Sequence, residues 1–84
     1  MRLSASVLFA AMIGSSMAQT YVGNCAVDTA SWSLEADQRA CCPGKVSQYA
    51  QNWECCIPQS AYTSYRSCCL GRGKVASLGG TQCS

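Results

Sequence analysis

The chain has 84 residues, of which 49% are hydrophobic and 12% charged, with a formal net charge of +2. So slight a basic excess argues against nucleic-acid binding and against electrostatic attack on a membrane. The chain contains no histidine, which removes the commonest general base and the usual partner of a nucleophilic serine or cysteine, so no enzyme is expected.

Met1-Arg2 supplies a positive start, "VLFAAMI" (Val7 to Ile13) a short apolar run, and "SMA" (Ser16 to Ala18) small residues where a signal peptidase reads. This pattern predicts a signal peptide over residues 1–18 and a secreted, extracellular domain over residues 19–84. The apolar run is too short to span a bilayer, and no second one follows, so no transmembrane segment is expected. The mature product reads as a monomer.

All eight cysteines fall after the leader: Cys25, then the doublets Cys41-Cys42, Cys55-Cys56 and Cys68-Cys69, then Cys83. Such density in a short exported chain marks a disulfide scaffold. A domain this small has a marginal core, and each bridge adds about 2–4 kcal/mol, so the bridges decide whether it folds.

Between the doublets the spacing predicts helices. In the first interval Asp28 or Thr29 caps "ASWSLEADQRACC", with Ala30, Leu34 and Cys41 as the apolar stripe, Asp37 interrupting it and Pro43-Gly44 closing it. In the second, Val46, Tyr49, Ala50 and Trp53 recur at i, i+3, i+4 and i+7. Cys56 continues that stripe, Cys55 points away from it, and Pro58 stops the element. In the third, Ser60 caps a helix through Ala61, Tyr65, Cys68 and Cys69, with Gly71 ending it. The tail from Lys74 to Ser84 reads as loop or a short strand. The expected fold is a small disulfide-rich domain, mainly α, with three short helices each ending in a Cys-Cys doublet; the alternative is a small disulfide-rich β/α domain.

Adjacent cysteines rarely bond to each other, because the small ring strains the peptide between them. Their side chains diverge on a helix or a strand, so each doublet is a node that sends bonds to two other places. Eight cysteines allow on the order of a hundred pairings, and the spacing does not choose among them. Cys25 and Cys83 either clasp each other or each join a doublet. Zinc sites use C-x2-C spacings or histidine, and this chain has neither, so no metal and no cofactor is expected.

Four acids, Asp28, Glu35, Asp37 and Glu54, offer no paired carboxylates, and Glu35 and Asp37 read as solvent-facing. The basic run "GRGK" with Arg66 reads as a solvated face. Tyr49 and Trp53 read as core on the shared stripe. Trp32 lies off the best stripe of its segment, which makes it the candidate partner-binding residue.

With its leader and its eight cysteines, the precursor resembles the small secreted cysteine-rich proteins of filamentous fungi. That category implies an effector or elicitor acting on a host protein or a cell-wall glycan. The cysteine order is also distantly similar to that of hydrophobins, although the gap between the two central cysteines is absent here and the first gap is longer. That likeness implies the alternative of a surface-active structural protein. An antimicrobial or inhibitory toxin is the third reading.

Overall fold

The structure is a computed structural model describing residues 19–84; the leader expected at 1–18 lies outside the described residues. Strand β1 spans Thr20–Ala26, helix α1 Glu35–Cys41, strand β2 Lys45–Tyr49 and strand β3 Asn52–Pro58. A 3-10 turn at Gln59–Ala61 leads into helix α2, Tyr62–Gly71, and strand β4 covers Val75–Cys83. The strands form one antiparallel sheet in the order β2-β3-β1-β4. With the chain order βαββαβ, this is the split βαβ, or ferredoxin-like, connectivity. The domain is therefore mostly a four-stranded sheet with two short helices, which corrects the expectation of a mainly α domain of three helices.

The correction centres on the second interval. Val46, Tyr49, Ala50 and Trp53 do not share a helix: they fall on β2, on a two-residue turn and on β3. Tyr49 pairs with Asn52 across the turn Ala50-Gln51, and Ala50 sits at φ 56°. Two-residue hairpins need a positive φ and usually place glycine or asparagine there. Strand alternation then sends Trp53, Cys55 and Ile57 to one face and Cys56 to the other. Cys55 is the buried member of its doublet and Cys56 the half-buried one, the reverse of the helical assignment.

The flanking elements differ in detail. Helix α1 begins only at Glu35, with Leu34 rather than Asp28 or Thr29 at its N-cap. Helix α2 matches the third interval and ends at Gly71, but Ala61 is its N-cap and Ser60 makes no cap. The tail is a nine-residue strand, with a bulge opposite Val22 that takes up Gly79-Gly80.

Both helices cover one face of the sheet. A Cβ at Gly23 would meet the ring of Tyr65 from α2, which is why β1 carries glycine there. The core consists of Cys25, Cys41, Cys55, Ile57, Tyr65 and Cys69. Tyr65 is its only large aromatic among the described residues, whereas Tyr49 is 74% exposed and Trp53 is half-buried beneath the Arg39 guanidinium. Gln38 is fully buried, and its Nε2 donates to the Gly23 and Trp53 carbonyls at 3.0 and 2.7 Å. Burial pushes the Tyr65 phenol well above its ordinary value.

The polar side of α1 also faces inward. Asp37 is buried and accepts from Arg72 Nε at 2.8 Å and from Lys74 Nζ at 2.6 Å, pinning α1 to the α2–β4 connection. The "GRGK" cations thus both pair with the buried Asp37, Lys74 from a part-buried position and Arg72 from the solvated face, while Leu34, read as an apolar stripe residue, is exposed.

Four disulfides join Cys25 to Cys69, Cys41 to Cys68, Cys42 to Cys55 and Cys56 to Cys83. Starting at Cys83, the bonds lead through Cys56-Cys55, Cys42-Cys41 and Cys68-Cys69 to Cys25. They form one unbroken series linking β4, β3, α1, α2 and β1. Strand β2 alone carries no crosslink.

Candidate functional site

The open face of the sheet and the loop between β1 and α1 together build the candidate site. Ser33 fastens that loop. Its amide donates to Asn52 Oδ1 at 2.8 Å, and its carbonyl accepts from the Trp53 amide at 3.2 Å. Its buried hydroxyl accepts from the Cys25 amide at 2.8 Å and donates to Asn24 Oδ1 at 3.3 Å. One residue thus ties the loop to both central strands, through its hydroxyl to β1 and through its backbone to β3.

The preceding residue is Trp32, 58% exposed. It lines a groove of about 290 Å³ together with Asn24, Asp28, Ser31, Asn52 and Ser77. Asp28 closes a tight turn, with Oδ1 accepting from the Ala30 amide at 2.9 Å and its carbonyl accepting from the Ser31 amide at 3.3 Å. The Ser31 hydroxyl and the Ala30 amide hold the Asp28 carboxyl below the usual value, so it is ionised near neutral pH. The rim of the groove is therefore fixed by local hydrogen bonds.

A row of amides and acids runs from this groove onto the sheet. Asn52 Nδ2 donates to Asn24 Oδ1 at 2.9 Å and reaches Glu54 Oε2 at 3.4 Å. Asn24 belongs to a second groove as well, of about 550 Å³, which Val22, Tyr49, Glu54 and Thr81 also line. The two grooves meet at Asn24. Among the described residues, the Asn24 Nδ2 group has no hydrogen-bond partner, so two N–H bonds are free to face a ligand.

Trp32, the candidate named from the sequence, lies in the site, but the residues around it do not follow from spacing. Asn24, Asn52 and Ser77 come from three strands, and only sheet register brings them together. Tyr49, assigned to the core, lines the outer groove instead. Among the described residues, the nearest approach to a metal-ligand cluster is Cys25, Cys41 and Cys69, whose sulfurs lie within 4.8 Å of one another. All three are in disulfides, and a disulfide sulfur lacks the thiolate that binds zinc. Compared with protein-family models, curated proteins and solved structures, the chain finds no match in any of the three.

Proposed function

We propose that this protein is a secreted, disulfide-stabilised interaction protein of the effector or elicitor kind, which presents the groove beside Trp32 to a host or cell-wall component. The observation that carries this reading is Trp32 itself. A large aromatic ring stands in solvent on a loop that four hydrogen bonds of Ser33 hold in place. Preorganised tryptophans of this kind are the usual centres of binding energy. The four disulfides support export to an oxidising compartment, and they keep the small sheet rigid there.

The test compares the oxidised wild-type domain with Trp32→Ala in leaf infiltration and in retention on insoluble wall polysaccharide. The expected result is a host response or wall retention for the wild type that the variant loses, at unchanged thermal stability. Equal activity of the two, or none from the wild type in either assay, overturns the reading.

A further inference from the structure

We propose that the open sheet face is a binding track for a neutral, linear, hydroxyl-rich oligosaccharide, with Trp32 and Tyr49 as two stacking platforms and Asn24 as the donor between them. The inference rests on the reading above that the groove beside Trp32 is the contact surface.

Each groove has an aromatic side chain exposed to water, Trp32 at 58% and Tyr49 at 74%. Flat aromatic faces accept the C–H face of a sugar ring, and both side chains combine an apolar body with a polar tip. Between them lies a polar surface. Asn24 stands opposite Ser77, Glu54 stands opposite Ser47, and Asn52 joins Asn24 to Glu54. The free Asn24 amide donates, while the Asp28 and Glu54 carboxylates accept. A sugar hydroxyl does both, so one ring satisfies groups of either kind.

Charge narrows the ligand further. Neither groove is lined by lysine or arginine, and each carries one carboxylate. Phosphates, uronates and nucleic acids are repelled by that arrangement. An extended peptide bound by strand addition is disfavoured for a different reason. The grooves reach the edge strands β2 and β4, but Asn24, Asn52 and Glu54 between the two aromatics project from β1 and β3, the central strands, whose backbone is paired on both sides and has no free edge to offer. The polar groups of that central stretch are all on side chains. The first groove alone is near the lower limit of about 300 Å³ for small-ligand clefts, and the second extends it. The volume suits a chain of rings rather than one.

The test is an NMR titration of the oxidised, 15N-labelled domain with soluble gluco- and N-acetylglucosamine oligomers of increasing length. The expected perturbations fall on the Trp32 indole and the Asn24 side-chain amide, with affinity rising with chain length. Trp32→Ala should weaken binding of every length about tenfold or more. Tyr49→Ala should weaken only the longer oligomers, and Trp32→Phe should retain part of the binding. No perturbation by any neutral oligomer, or equal binding by wild type and Trp32→Ala, overturns the proposal. Binding confined to a de-acetylated, cationic oligomer and abolished by salt also overturns it, in favour of recognition by the two carboxylates. If Trp32→Ala abolishes a host response while no oligosaccharide binds, the contact surface stands and the ligand class falls. If oligosaccharide binds but the variant keeps full host activity, the ligand class stands and the functional reading falls.

Discussion

The Tyr65 hydroxyl donates to Gln38 Oε1 at 2.7 Å, and both side chains are sealed from solvent. Gln38 then hands two hydrogen bonds on to the carbonyls of Gly23 and Trp53, so this pair connects both helices to both central strands. A buried polar network of this kind is stable only while every member is satisfied. Tyr65→Phe leaves Gln38 Oε1 without its donor and should cost about 1–3 kcal/mol. Gln38→Ala also leaves two carbonyls and a hydroxyl unpaired and opens a cavity, and should cost more, within about 2–5 kcal/mol. Urea unfolding with the disulfides intact measures both. The double variant should be less destabilised than the sum of the two, because they remove one shared interaction.

Asp37 makes the fold sensitive to acid. Lys74 and Arg72 hold its carboxyl below the ordinary value of 3.8 in the folded state. The stability it contributes is therefore full above 3.8 and is lost as pH falls through that value toward the lower folded one. The melting temperature of the wild type should fall in this acid range. Asp37→Asn should lower stability at neutral pH and flatten that part of the profile. A profile with the same acid slope in the variant would remove Asp37 from the explanation.

Two backbone positions should respond in opposite directions. A Cβ on Gly44 would collide with the Cys56 carbonyl oxygen, so Gly44→Ala should destabilise by about 1–3 kcal/mol. Ala50 holds a left-handed φ of 56°, so Ala50→Gly should stabilise the hairpin, by about 0.5–1 kcal/mol. Chemical denaturation of the oxidised proteins reads both changes.

The disulfides should differ in value. Cys25–Cys69 closes a separation of 44 residues and Cys42–Cys55 one of 13. On loop entropy alone, replacing the first pair with alanines should cost about 1 kcal/mol more than replacing the second. Thermal unfolding of the two variants gives the comparison, and an inverted order would show that local packing outweighs chain entropy here.

Helix α2 was legible in the sequence because its apolar spacing, doublet and terminal glycine agree with one another. The β2–β3 hairpin was hidden because two strands and a tight turn reproduce helical spacing by coincidence. The turn also lacks the glycine or asparagine that announces a two-residue hairpin, Ala50 taking the positive φ instead. Helix α1 misled through its polar residues. Asp37 reads as solvent-facing, yet it and the neighbouring Gln38 are buried because partners from distant segments satisfy them. Trp32 was visible as an aromatic without a place in the core. Its companions Asn24, Asn52 and Ser77 were not, since strand register has no local signature.

The serial order of the disulfides has a consequence for survival among proteases. Every loop between successive cysteine nodes, from Cys25 to Cys83, is bypassed by the sulfur path. Cleaving one such loop releases no fragment. Even if all four were cut, the five cysteine-bearing pieces would remain one covalent molecule, separable only by reductant. Digestion would then show on a reducing gel as small peptides and on a non-reducing gel as a single intact species.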